Sequence, residues 1–347
     1  MHLPDLEAKL KFLKAPQSYG ESGAHLECIE THMSWVFLVE QRVFKLKKPV
    51  CFPFLDFTTL KAREFYCREE VRLNERMAPG IYLGVVALQK QDGAFALVPD
   101  AQQPAPGETV DWLVVMQRLP LQRTLLQLIA THQVVPKDIK ALVDVLDTFY
   151  RTTFRVPISA NDYMARFQYE QASNREVLLR PQFQLRDAAL AMDRFDVLLS
   201  QCVDLLRARA AGHHVLDGHG DLRPDHVFLL QPPVVIDCLE FNPQLRHVDP
   251  FDEIAYLSLE CDMAGAAWIG PRLVAGIAQA LDDHPPPALL YFYTAHSALL
   301  RARLAMAHLL DPQPRSPDKW PPLAERYLAH ALTATDAFIS TRHDGKP

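Results

Sequence analysis

The chain has 347 residues, more than one ordinary core holds and enough for two domains. It is 49% hydrophobic and 22% charged with a formal net charge of -6, a globular balance that lacks the basic face of a general nucleic-acid binder. The six cysteines (Cys28, Cys51, Cys67, Cys202, Cys238, Cys261) form no CxxC pair, which excludes zinc-knuckle and thiol-redox motifs. No secretory apolar segment and no membrane-spanning run is visible, so a reducing cytoplasm is the expected setting.

In chain order, residues 4 to 14 read as a short amphipathic helix. "HLECIETHMSWVFLVE" and "RVFKL" are rich in branched and aromatic residues and read as strands, with "VEQRVF" as the turn before the last. A helix over roughly 58 to 78 follows, with Asp56 or Thr58 as its cap. "GIYLGVVALQKQDGAFALV" reads as a hairpin turning at Asp92-Gly93, and "DWLVVMQRL" as one more strand. These residues predict a mostly antiparallel sheet with a helix laid on it.

After Leu119 the period becomes helical: "TLLQLIATHQ", "PKDIKALVDVLDTFYRTT", 162–180, 184–210, 250–264, 271–281 and 288–309. Prolines 285 to 287 and the run from Pro312 to Pro322 separate the last helices. The expected fold class is α+β, with a sheet domain over 1–118 and a mainly helical domain over 119–347. No GxxxxGK[ST] loop and no GxGxxG is present, so P-loop and Rossmann readings lack their phosphate motifs.

The densest chemistry lies in "HGDLRPDHVFLLQPPVVIDCLEF", residues 219 to 241. "VFLL" and "VVID" read as two short strands joined at "QPP". His226 and Asp237 stand equidistant from the turn, so a hairpin would bring them together at its open end. Asp221 lies in the loop just before. Converging carboxylates need a cation or a shared proton, and an oxygen-rich set favours magnesium or manganese. A loop aspartate beside a magnesium–phosphate site can orient a substrate hydroxyl or take its proton.

These residues resemble the catalytic centre of the aminoglycoside phosphotransferase family, part of the wider protein-kinase-like superfamily. "HGDLRPDH" is similar to that family's H-G-D-x-x-x-x-N loop, which implies Asp221 as the catalytic aspartate. "VVIDCLEF" implies Asp237 as the metal aspartate. His226 stands where the family carries a metal-binding asparagine. The run "HGDLRPDH…IDCLEFN…DP.DE.A" resembles a bacterial branch in which such a domain is often fused to a P-loop ATPase, which implies a P-loop ATPase partner on a separate chain. The resemblance implies a bilobal protein-kinase-like fold, ATP with magnesium (manganese as the alternative), and a small-molecule hydroxyl as acceptor, with no nucleic acid or membrane involved.

A kinase-like reading demands a lysine on an upstream strand and a helix glutamate to hold it. "RVFKLKK" supplies Lys45, with Lys47 on the same strand face as the fallback. Tyr66, Glu70, Leu73 and Met77 form one otherwise apolar helix face, and an acid there needs a cationic partner, which selects Glu70 over Glu69. "LVVMQRLP" resembles the strand and hinge beneath the adenine, which implies backbone contacts from Met116 to Arg118. The glycine-free "ETHMSW" stands where kinases place a nucleotide-covering loop. In "HVDPFDEIAYLSLE", similar to the family's D-P-x-x-D-L-A, Asp249 is expected to brace the catalytic loop through Arg223 or His219.

Plainer readings stand beside these. His226 reads equally as a hydrogen-bonded structural histidine, Glu240 as a second metal-side acid or a surface charge, and Arg301 and Arg303 as helix charges or substrate ligands. Two other functions compete with the kinase: a kinase-like binding module without catalysis, and a metal-dependent hydrolase with His219, Asp221, His226 and Asp237 as ligands.

Overall fold

The computed structural model describes residues 3–20, 23, 25–52 and 54–343. The chain divides into two compact units, Met1–Arg123 with Val234–Leu245, and Thr124–Pro233 with Arg246–Pro347. The segment 234–245, placed by sequence in the second domain, therefore belongs to the first.

The first unit holds α1 (Leu3–Leu13), β1 (Leu26–Glu30), β2 (Ser34–Val39), β3 (Arg42–Lys47), the two-residue strands β4 (Cys51–Phe52) and β5 (Leu55–Asp56), α2 (Leu60–Asn74), β6 (Tyr82–Gln91), β7 (Ala94–Pro99) and β8 (Glu108–Gln117). Six strands form one antiparallel sheet in the order β1-β2-β3-β8-β6-β7. The hairpin turns at Asp92 and Gly93, both at positive φ, where a two-residue turn favours Asp-Gly. Strand alternation sends Phe44 and Leu46 into a core with Trp35, Phe37, Leu113 and Leu13 of α1. The opposite parity, Val43, Lys45 and Lys47, is thereby left on the other face.

Helix α2 packs across β8 and β6. Thr59, not Asp56 or Thr58, is its cap, its hydroxyl accepting from the Ala62 amide at 3.1 Å. Asp56 instead closes the preceding turn by accepting from the Thr58 amide at 2.9 Å. Near the start of α2 the buried Arg63 pairs with Asp111 of β8 at 2.7 Å, and Lys9 of α1 reaches the same carboxylate at 3.1 Å. One buried acid thus ties both helices to the central strand. The segment 234–245 is held by the Val235 amide on the Met77 carbonyl, 3.1 Å, and the Cys238 amide on Asn74 Oδ1, 2.9 Å. Phe241 joins Leu55 and Phe57 in a small second core.

The second unit holds α3 (Leu125–Ala130), α4 (Pro136–Thr152), α5 (Ala160–Leu178), α6 (Ala188–Gln201), α7 (Val203–Ala211), α8 (Pro250–Met263), α9 (Ile269–Leu281), α10 (Pro287–Ala307) and α11 (Trp320–His343). The helix expected over 184–210 is broken at Cys202 into α6 and α7. Helix α11 follows the proline-rich run that would seem to end helical structure. Its Pro321 and Pro322 fall in the first turn, where a missing N–H costs little, and Ala324, Tyr327, Leu328 and Ala331 are buried. Helix α10 packs on α8, α5 and α11. Phe167, Phe195, Phe292 and His296 stack at its centre. Burial among these rings holds the His296 imidazole down to about 3, so it is a neutral core residue. Among the described residues no helix is long and apolar enough to cross a membrane.

Candidate functional site

In the sheet unit the period-two parity of β3 aims two lysines at one carboxylate. Lys45 Nζ lies 2.9 Å from Glu70 Oε1 and 3.0 Å from Asp237 Oδ1. Lys47 Nζ lies 2.6 Å from Glu70 Oε2 and also pairs with Glu240. Glu70 is 1% exposed, so its two oxygens have no solvent and each takes one ammonium. Burial alone would raise the Glu70 carboxyl, but the Lys45 and Lys47 charges outweigh it and hold the group below its ordinary range. Burial likewise opposes the Lys45 ammonium, and Asp237 and Glu70 more than offset it. Both lysines of "KLK" are therefore in use, and Glu240 is a buried ion-pair partner rather than a surface charge.

Asp237 differs from its neighbours. Its side chain is 47% exposed, against 19% for Lys45. Its backbone lies in the left-handed region, φ 62°, which Asp tolerates better than most residues. Its amide donates to the Tyr82 hydroxyl at 3.3 Å. A half-open carboxylate with hard oxygen donors beside a lysine fits a magnesium–phosphate group.

In the segment expected as the hinge, two backbone amides are engaged. Met116 lies in the ladder opposite Val43 and Tyr82. The Gln117 amide donates to the Ile81 carbonyl at 2.8 Å and the Arg118 amide to the Gln41 carbonyl at 2.8 Å. The Arg118 guanidinium donates to the Glu40 carbonyl at 3.3 Å. In this arrangement the N–H groups of Gln117 and Arg118 are engaged within the sheet unit, so an adenine contact from either would replace an existing bond.

In the helical unit the HGD loop hangs from Glu253 of α8. Glu253 Oε1 accepts from the His219 amide at 2.7 Å and the Gly220 amide at 2.6 Å, and Oε2 accepts from the Tyr150 hydroxyl at 3.2 Å. Burial pushes the Glu253 carboxyl up to about 7, against the pull of those amides. Gly218 is required by close approach: a Cβ there would stand 2.5 Å from Val248 Cγ2 and 2.8 Å from Glu253 Oε1. Gly220 supplies a φ of 84°. The brace is thus Glu253 and not Asp249. Asp249 caps α8 through the Phe251 amide and pairs with Arg209, which also holds Asp283. The sequence signal was present, since Glu253 stands at the second acid of the D-P-x-x-D pattern.

Asp221 is a quarter exposed on this loop. The Tyr256 hydroxyl donates to its Oδ1 at 3.0 Å, while Oδ2 accepts no hydrogen bond among the described residues, its nearest partner being His226 Nδ1 at 3.8 Å. One carboxylate oxygen is fixed and the other is open, the disposition a proton acceptor needs. The buried His226 ring braces the turn: Nδ1 donates to the Asp221 carbonyl at 2.8 Å, and Nε2 faces Arg223 Nη2 at 3.3 Å. Both ring nitrogens are engaged, so His226 does not fit a metal ligand in this arrangement. Among the described residues no three His, Cys, Asp or Glu side chains form a cluster that would hold a metal by themselves.

Comparison with known proteins follows the same lines. No family profile matches the chain. Uncharacterized proteins of Mycobacterium tuberculosis and Mycobacterium bovis are 28% identical over 320 residues, covering 88% of this chain and 61% of theirs. The chain thus spans about three fifths of the length of the curated relatives it matches. Among solved structures, a choline kinase from Cryptosporidium parvum aligns with a TM-score of 0.56 at 10% identity, over 97% of both chains. A thermostable mutant of aminoglycoside phosphotransferase APH(4)-Ia, in ternary complex with AMP-PNP and hygromycin B, aligns with a TM-score of 0.54 at 12% identity, over 94% of this chain and 97% of that one. A choline/ethanolamine kinase family protein from Mesorhizobium loti gives 0.50 at 14% identity, over 94% and 93%. The fold is the kinase-like one these proteins share, an antiparallel sheet unit followed by a mainly helical one.

Proposed function

We propose that this chain, with the fold of the choline kinases and aminoglycoside phosphotransferases, is an ATP-dependent phosphotransferase acting on a hydroxyl of a small molecule. One observation carries the reading: a strand lysine held by a buried helix glutamate, Lys45–Glu70, occurs in the same chain as an HGD loop whose aspartate keeps one oxygen open. Lys45 binds phosphate oxygens of the nucleotide. Asp237 holds magnesium, which when bound neutralises charge on those phosphates. Asp221 orients the acceptor. The acceptor oxygen bonds to the γ-phosphorus as the bond to the bridging oxygen of the leaving ADP breaks, and the hydroxyl proton passes to Asp221 Oδ2.

A binding module without catalysis is the second reading, favoured by the ring of His226 where an amide oxygen would ligate metal. A hydrolase built on His219, Asp221, His226 and Asp237 leaves the Lys45–Glu70 pair without a task. A cytoplasmic setting rests on the cysteine pattern and the apolar-segment reading of the sequence, and a separate P-loop ATPase partner on the sequence resemblance alone. The deciding experiment is ATP binding with magnesium or manganese by calorimetry, followed by ADP release across hydroxyl acceptors. Lys45→Met should weaken nucleotide binding roughly tenfold or more, the worth of a charge-assisted bond. Binding unaffected by that substitution removes the reading, and binding without turnover on any acceptor selects the module.

A further inference from the structure

Arg301 of α10 lies in the field of Arg223 and has one of its five guanidinium N–H donors committed. Its Nε donates to Glu260 Oε1 at 2.9 Å and to the Tyr327 hydroxyl at 3.3 Å, and the Tyr327 hydroxyl donates to the same Glu260 oxygen at 2.8 Å. The guanidinium carbon lies 5.4 Å from the centre of the Tyr327 ring. Neither Nη makes a hydrogen bond to any described residue, and the side chain is 19% exposed against 12% for Glu260. Four N–H donors in one rigid plane are left facing outward, the edge that matches a carboxylate or phosphate.

Helix α8 links Arg301 to Asp221. Tyr256 and Glu260 are four residues apart and share a face, with a rise of about 6 Å between them. Tyr256 holds Asp221 and Glu260 holds Arg301. The Asp221 carboxylate and the Arg301 guanidinium are thus each held by one of two neighbouring residues on one face of α8. Arg223 adds a second guanidinium: its Nη2 pairs with Asp225 at 2.5 Å, while its Nε is buried without a hydrogen bond, 3.6 Å from Asp221 Oδ1. Tyr256 lies in the field of Asp221, Arg301, Glu260 and Arg223 together. An anionic group entering here would meet the unbonded Nη groups of Arg301 and the unbonded Nε of Arg223.

We propose that the acceptor is a small hydroxyl compound bearing an anionic group, carboxylate or phosphate, and that Arg301, seconded by Arg223, binds that anion. This rests on the phosphotransferase reading and narrows its substrate class. It sets the chain apart from a kinase for choline or for a polycationic antibiotic.

Four probes on one three-carbon skeleton test it: glycerol, aminopropanediol, D-glycerate and glycerol phosphate, titrated into the full chain with ADP and magnesium and followed by ligand-observed NMR. The two anions should bind and the neutral and cationic compounds should not, and the tighter anion identifies the group. Arg301→Gln should weaken the anions roughly tenfold to hundredfold, with Arg301→Lys between. Should Arg301→Gln fail to fold, Arg223→Gln must still weaken the anions. Preference for the amine, equal response to all four, or no binding of any overturns the proposal. ADP binding is read in the same samples: its absence strikes the phosphotransferase reading, whereas ADP binding without anion preference strikes this inference alone.

Discussion

The charged cluster of the sheet unit and that of the helical unit differ in how many of their atoms are already engaged. Lys45, Lys47, Glu70 and Glu240 neutralise one another below the surface, and the two glutamates are at most 8% exposed. Around Asp221 the same residue types leave atoms open: Oδ2 of the aspartate, both Nη groups of Arg301, and the buried Nε of Arg223. In the first cluster Lys47, Glu70 and Glu240 are committed to one another, and Lys45 is the member that also reaches the half-exposed Asp237. The second keeps donors and acceptors for a ligand, at the cost of desolvated groups that lack full pairing.

Three substitutions would break or sharpen that contrast. The largest effect is expected at Asp221: Asp221→Asn should lower turnover roughly a thousandfold while nucleotide affinity stays within a factor of about two, because only the open oxygen is altered. Steady-state kinetics beside calorimetry would show this, and equal losses in both would mean that Asp221 acts on structure. Next is Glu70→Ala, which removes the acid shared by two buried ammoniums and should cost about 3–5 kcal/mol in urea unfolding. A loss below about 1 kcal/mol, the range of a surface ion pair, would show the sheet cluster to be solvated.

The smallest is a pH effect. Glu253 keeps its proton in the folded chain up to about 7, against an ordinary value of 4.5. The folded state therefore binds more protons than the unfolded one between those values. The stability this contributes is complete below pH 4.5 and is lost as pH rises through 7, by an amount on the order of 3 kcal/mol. Asp252, pushed up to about 6 by burial, slopes the same way, and the buried neutral His296 slopes the opposite way. Thermal melts across this range should flatten in Glu253→Gln relative to the parent, since the amide oxygen still accepts from His219 and Gly220 but carries no proton to lose. Parallel melting curves for both proteins would remove Glu253 from the account.

What could be read from the sequence was local. The parity of "RVFKLKK", the apolar face bearing Glu70 and the crowding of "HGDLRPDH" are each contained in a dozen residues, and Lys45–Glu70 is the pair they indicate. The order of a sheet region and a helical region was legible from periodicity, and the kinase-like fold was what the resemblance of "HGDLRPDH" and "VVIDCLEF" implied. The rest depends on partners far apart in number. Lys47 and Glu240 are 193 residues apart, and no periodicity ties them. Glu253 replaced Asp249 as the brace because helix capping and Arg209 already take the aspartate. That the amides of Gln117 and Arg118 bond to Ile81 and Gln41 leaves no trace in composition. The placement of His226 turned on a single backbone carbonyl.

The double occupancy of Glu70 has a bearing on motion. If Lys45 turns toward an incoming phosphate, the acid beneath it is not abandoned, because Lys47 remains 2.6 Å from its other oxygen. The arriving ligand need not find the glutamate a replacement cation, nor drag α2 to restore neutrality. A helix with such a reserve should stay put when nucleotide binds, and amide hydrogen exchange along residues 60–74 should look the same in the empty and loaded protein.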